Sequence, residues 1–424
     1  MTELSHNSGR LQRIPSNWQT IGLVASILIV CSLVFLWPKT NPEASFQRGL
    51  VALEKRDVAA LHRELQNLRR YPKYEPQVQL LRGAVFLTGQ DPQSALHEFD
   101  LCSVHPATRV YALTLAGEAF CRMDRSERAI GVLQQAIGFN PNYIPAHRAL
   151  AIAYYDTGSH DLAIGELRKV AELDPTDHRP HRVLGTIHKS DGRYAEAVQD
   201  YRASLRLSPR QPTRQAVLLE LSQSLARLRR YPEALKFLDQ AQGSADIWGC
   251  RAGCEYHVGH KTAAREAAMK AVDLAPNHLE GLIWLGILEL EAGRLVPAAQ
   301  YLERAAKTHP RDATARKHLA AVYQRQGNKK AAQEQLNLIE THRNLQEKLT
   351  TLREQAEKRP QDASVRYELA ETARELHLYR LAKTWYQAAL TLNPQHQKAQ
   401  QALATLPQPD KSPSTAAQLS QPLD

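Results

Sequence analysis

"SDGRYAEAVQDYRASLRLSP", residues 190–209, decides the fold. Gly185 stands just before it, Ala197 is twelve positions beyond Gly185, Ser204 is seven beyond Ala197, and Pro209 closes the stretch. Laid along the chain, the same pair recurs as Gly83/Ala95, Gly117/Ala129, Ala151/Ala163, Ser222/Ala234, Ala252/Ala264, Gly286/Ala298, Ala320/Ala332 and Ala370/Ala382. Seven positions further stand Cys102, Ala136, Val170, Ala241, Ala271, Ala305, Ile339 and Ala389, of which only Val170 and Ile339 are large. The step is a constant thirty-four from Gly83 through Gly117 and Ala151 to Gly185, and again from Ala252 through Gly286 to Ala320. Between these runs it is thirty-seven from Gly185 to Ser222 and thirty from Ser222 to Ala252. A three-residue insertion around Pro212 to Arg214 followed by a short return accounts for the two odd steps. Prolines close units at Pro141, Pro175, Pro209, Pro276, Pro310 and Pro394, where a residue without an N–H ends a helix.

The spacing predicts two antiparallel helices per unit, with small residues where the helices cross so that the backbones approach closely. Gly192 ends the first helix of the quoted unit, and "SDGRY" makes the turn. Neither helix buries its apolar stripe alone, so neighbouring units must stack.

A unit of this length with three small columns and a terminal proline resembles the tetratricopeptide repeat family, and Trp248, Leu184, Tyr154 and Tyr201 occupy its large-residue places. The resemblance covers residues 76–396, with a degenerate unit at 42–75. It implies an all-α fold, a right-handed superhelical solenoid of antiparallel helix pairs, with repeats over 76–339 and a terminal one at 363–396. The departures are the insertion near Pro212, the missing terminal proline in the units beginning near Gln215 and Ala313, and an interruption after Ile339. Within that interruption, at 340–362, a long helix is expected. Leu338, His342, Leu345, Leu349, Leu352 and Ala356 form a heptad-like stripe, suited to packing on the preceding helices or to self-association through 338–356.

Two terminal segments are of another kind. Residues 21–37, "IGLVASILIVCSLVFLW", carry no charge and are flanked by Trp18 and Trp37, a pattern of one membrane-spanning anchor behind an N-terminal flank at 1–20. A cleaved signal peptide is the alternative, and a buried core helix a third reading. Arg10 and Arg13 before the span, against Lys39 and Arg48 after it, favour the repeats on the extracytoplasmic side. Residues 407–424, rich in Pro, Ser and Gln, read as a disordered tail.

Fifty-four Lys and Arg against 44 Asp and Glu give a net charge of +10 spread over the length. No basic run exceeds "RLRR" at 227–230, so no nucleic-acid partner is expected. The cysteines lack the spacing of a disulfide framework, and one helical turn cannot bridge Cys250 to Cys254. "GHKT" at 259–262 lacks the Gly-Lys pair of a phosphate loop, and no nucleophile and acid stand at a recognisable spacing, so no enzyme and no cofactor are expected. The sharpest chemical stripe is Cys250, Cys254 and His257, with His260 following: thiolate and imidazole are zinc ligands, but the repeat register buries both cysteines. It leaves open a metal or haem accessory protein; a regulatory subunit of a membrane enzyme complex is a further alternative.

In repeats of this family the first helix of each unit lines an inner groove, as the resemblance implies. That face should carry Arg148, Ile152 and Tyr155, then Arg179, Arg182, Thr186 and Lys189, which suits an acidic or C-terminal peptide. Further on, Ile283, Ile287 and Leu290 should make the groove apolar. One subclass of the family clamps chaperone tails with a set of lysines and asparagines; the asparagines are absent from the corresponding helices here, so chaperone-tail binding is not expected. The expected function is a non-catalytic, membrane-anchored scaffold that binds protein segments and supports complex assembly.

Overall fold

Each predicted turn needs one residue that reverses the chain, and the backbone identifies it. In the computed structural model, which describes residues 41–359 and 361–407, these are Arg56, Gln90, Asp124, Gly158, Gly192, Arg229, Gly259, Gly293, Gly327 and His377, with φ from 50° to 99°. The column keeps the sequence period as far as Gly192, shows the same long and short steps on either side of Arg229, and is stretched most between Gly327 and His377. Five members are glycine, for which left-handed φ is free of Cβ strain; the other five bear that strain. Gln90→Gly is therefore expected to stabilise the chain by about 0.5–1 kcal/mol in chemical denaturation, and unchanged stability would show that the turn bears no strain.

The described residues form helices and no strand, in two compact units divided after Ala119. In the N-terminal unit α1 (Pro42–Glu54) and α2 (Val58–Leu68) form a full helix pair, capped by the Asn41 and Asp57 side chains. A short 3-10 turn precedes α3 (Glu75–Thr88) and α4 (Pro92–Ser103), and α5 (Arg109–Arg122) begins the next repeat. Arg48 grips Glu64 through Nε and Nη2, both at 3.0 Å, and one period later Arg82 reaches Glu98 at 3.2 and 3.3 Å. The pair at 42–68 is thus in register with its neighbour.

The C-terminal unit continues with α6 (Ser126–Phe139), α7 (Ile144–Asp156), α8 (His160–Leu173), α9 (Arg179–Ser190), α10 (Tyr194–Leu207), α11 (Arg214–Arg227) and α12 (Tyr231–Leu238). There follow α13 (Ala245–Val258), α14 (Lys261–Leu274), α15 (Leu279–Glu291), α16 (Leu295–Thr308), α17 (Ala313–Arg325), α18 (Lys329–Lys358), α19 (Ala363–Glu375), α20 (Tyr379–Leu392) and α21 (Gln397–Thr405). The second small column is the packing seam: Ala129, Ala163, Ala197, Ala234, Ala264, Ala298 and Ala382 are each 0% exposed. The first column makes room for a large side chain sixteen positions on. A Cβ at Gly185 would stand 2.7 Å from the Tyr201 ring, and one at Gly286 would stand 2.5 Å from Leu302.

The heptad-like stretch is not a separate element. It continues the second helix of its repeat, so α18 runs for 30 residues where α10 and α16 run for 14. Its first half packs on α17, where Arg316 Nη1 donates to Gln335 Oε1 at 2.8 Å. Its second half serves the last pair: Leu349, Leu352 and Ala356 are buried with Val365, Leu369, Ala373 and Tyr386. Leu349, Leu352 and Ala356 of the stripe are thus covered within the chain, while Leu338 is 47% exposed. No helix among the described residues is long and apolar enough to cross a membrane; the predicted span at 21–37 and the tail beyond residue 407 lie outside the described residues.

Candidate functional site

Helix α7 places Arg148 one turn from Ile152, and α9 places Arg179, Arg182, Thr186 and Lys189 along one stripe. Between these helices Asp177, 7% exposed, draws two of the cations together. Its Oδ2 accepts from Arg148 Nη2 at 2.9 Å, and its Oδ1 accepts from Arg179 Nε at 2.7 Å and the Arg179 backbone N–H at 2.9 Å. Burial alone would raise the Asp177 carboxyl, but these bonds and the two guanidinium charges outweigh it and hold the group below the usual carboxylate range. Lys189 Nζ is likewise held, by Glu220 and by Gln223 Oε1 at 2.5 Å. Tyr155 lies half-buried with its ring stacked on His160, centroids 5.0 Å apart.

Arg182 differs from the other three cations. Its Nε and Nη2, the two nitrogens of the side-on fork that takes a carboxylate bidentately, are buried and reach no acceptor among the described residues. No other side chain among the described residues has two such atoms. Burial pushes its guanidinium below its ordinary value. The Arg182 backbone carbonyl is occupied by Thr186 Oγ1 at 3.2 Å, and Thr186 in turn accepts from the Tyr201 hydroxyl at 3.3 Å. Nδ1 of His178 and of His181, on the same part of the chain, are also buried without a close hydrogen-bond partner, His181 Nδ1 standing 3.9 Å from Asp200 Oδ1. Unsatisfied buried nitrogens thus concentrate at the start of α9.

The sequence reading missed the acids that neutralise this face. Asp177 carries a local signal, an acid two positions before the first helical residue, where it can accept the Arg179 N–H. A second signal was periodic: His147 and His181 stand one period apart, as do Glu166 and Asp200. His147 Nδ1 meets Glu166 Oε2 at 2.6 Å and its Nε2 meets the Pro141 carbonyl at 2.8 Å, while Asp200 is taken by His188 Nδ1 at 2.7 Å.

The apolar continuation of the groove is not an open surface. Ile283, Ile287 and Leu290 are 6%, 7% and 7% exposed. Helix α15, "LEGLIWLGILELE", is apolar on nearly every side, and such a helix is covered all round. Ile283 and Ile287 pack with Ala305 and Ala315, and Leu290 with Leu319 and Val322.

The cysteine and histidine stripe does not converge either. Cys250 and Cys254 are buried in the core with Leu221 and Leu238, and the Cys254 contact and burial push the Cys250 thiol up. The His257 ring stacks on Tyr231 at 4.6 Å, and His260 Nδ1 meets Glu255 at 2.8 Å. Among the described residues no three metal-ligating side chains gather.

Models of the tetratricopeptide repeat match residues 114–178, 182–247 and 363–396. No curated protein matches the chain. Among solved structures the chain is similar to pilF of Pseudomonas aeruginosa, with 19% identity, 51% of this chain and 99% of that chain covered, and a TM-score of 0.43. A tetratricopeptide repeat protein from Parabacteroides merdae is 15% identical, with 58% and 98% covered and a TM-score of 0.44. YrrB, a repeat protein described as having an unusual peptide-binding site, is 18% identical, with 43% and 95% covered and a TM-score of 0.37. Tetratricopeptide repeat proteins generally mediate protein–protein interaction and are typically non-catalytic.

Proposed function

We propose that the chain is a non-catalytic scaffold whose α7–α9 face takes an acidic segment of a partner protein. Residues 21–37 would tether it to a membrane with the repeats on the extracytoplasmic side, so that the bound segment is held among the other components of a membrane assembly. The observation that carries this reading is the unfilled fork of Arg182. Two nitrogens of the half-buried Arg182 guanidinium lack an acceptor, which costs stability, and a partner's carboxylate would satisfy both at once with the side chain turned outward to meet it. Arg148 and Arg179, already drawn together by Asp177, add positive potential beside it.

Such a group is kept at the expense of the free fold. Arg182→Met is expected to stabilise the chain by about 1–3 kcal/mol, because the apolar stem is retained and the unpaired charge removed. The same change should abolish capture of the partner from membranes by the full chain. If Arg182→Met retains the partner, the face is not the binding surface. If it loses stability instead, the fork has an acceptor within the fold and the reading fails.

A further inference from the structure

The register break identified in the sequence has a structural consequence away from the α7–α9 face. Second helices α8, α10, α14 and α16 each have 14 residues, but α12 has 8 and ends at Leu238. The missing turns leave the flank of α10 uncovered, and a solvent-open cleft of about 700 Å³ lies there. Leu205, Pro209 and Phe237 supply its apolar surface, and Arg202, Arg206 and Arg214 line it.

The charges in the cleft are not balanced. Arg202 and Arg230 share a single carboxylate, Glu233, the latter pair at 2.5 Å. Arg214 donates to the Gln240 carbonyl at 3.0 Å and to Gln240 Oε1 at 3.1 Å, both neutral acceptors that leave its charge in place. Arg206 is exposed and has no ion-pair partner among the described residues. The Arg202 guanidinium lies over the Phe237 ring, 5.8 Å from its centroid, so that aromatic face is closed to base stacking. The volume is that of a ligand pocket with room for a few side chains.

We propose that this cleft is a second binding site, formed where the short helix α12 breaks the repeat, and that it takes an acidic peptide segment with one large apolar side chain. The carboxylates pair with Arg206 and Arg214 and the apolar side chain lies on Leu205 and Pro209. The site is built on α10, α12 and the start of α11, independently of the α7–α9 face, and stands whether or not that face binds a partner.

The test is fluorescence anisotropy of the full chain with a labelled eight-residue peptide of alternating Asp and Glu around one central Phe. Binding should fall at least tenfold for Arg206→Glu/Arg214→Glu, and at least tenfold for Gln199→Trp, which blocks the cleft without changing its charge. All of these measurements are made in the Arg182→Met background, which disables the α7–α9 face, so that the binding read is that of the cleft alone. Circular dichroism checks that each variant is folded, and Arg206→Gln, on an exposed side chain, replaces any variant that is not. The proposal is overturned if the peptide does not bind at 1:1 stoichiometry, if the cleft variants bind as well as the parent, or if replacing the central Phe by Ser leaves affinity intact. Equal competition by an oligothymidylate of the same length would overturn it in favour of a nucleic-acid surface.

Discussion

Tyr201→Ala is expected to cost about 3–5 kcal/mol, the largest loss from any single side chain considered. Tyr201 is 0% exposed, its ring fills the space left by Gly185, and it packs with Val198, Val217 and Leu221. Removing it opens a cavity at the seam between α9, α10 and α11 and leaves Thr186 without its donor. Because repeats contact chiefly their neighbours, the damage should remain local. Amide exchange should accelerate over 179–227 while α15 and α16 keep their protection. The complementary change, Gly185→Ala, drives a methyl against the same ring and should cost about 1–3 kcal/mol. In the Tyr201→Ala background that penalty should vanish, and a double-mutant cycle without coupling would refute the steric account.

The second large effect concerns Glu289, 5% exposed, which pairs with Arg265 and Arg294. The partners are unequal, since both arginines keep contact with water and the carboxylate does not. Arg265→Met/Arg294→Met should therefore cost about 3–5 kcal/mol by stranding a buried charge, and adding Glu289→Met should recover most of it. The pH dependence gives an independent check. The bond from Arg294, opposed by burial and aided by Arg265, holds the Glu289 carboxyl below its ordinary 4.5. Its contribution is complete above the unfolded pKa and is lost as pH falls through the lower folded value. In the double variant burial acts alone and the sign reverses, so the deficit should shrink on acidification from pH 7 toward 4.5. A deficit constant over that range would mean that Glu289 is not the stranded group.

Helix pairing was legible because it rests on period and residue size, which a sequence displays directly. The positions of Gly185, Ala197 and Ser204 placed the crossings, and the two odd steps around Ser222 located the break at which α12 is cut short. Charge was less legible. Arg148, Arg179, Arg182 and Lys189 look equivalent along the chain, but Asp177 pairs with Arg148 and Arg179 and Glu220 with Lys189, and only the fold separates these carboxylate-paired cations from Arg182. The apolar face at Ile283 was misjudged for a related reason. Position on a first helix indicates the inner side, whereas openness depends on Ala305 and Ala315 of neighbouring helices.

The length of α18 fixes more than distance. Left-handed turns follow one another at the regular period from Gly259 to Gly293 and Gly327, but the next comes only at His377. The surplus of about 16 residues is about four and a half helical turns, roughly 24 Å of travel. The odd half-turn matters most, because it carries the α19–α20 pair about 160° round the helix axis, so that its first-helix face points away from the direction set by the pairs before it. An insertion of about 18 residues, close to five whole turns, would have kept that direction at nearly the same separation. Adding or deleting two residues near Leu345 would swing the terminal pair through about 200° while moving it only about 3 Å, so that helix length acts here as an angular coordinate.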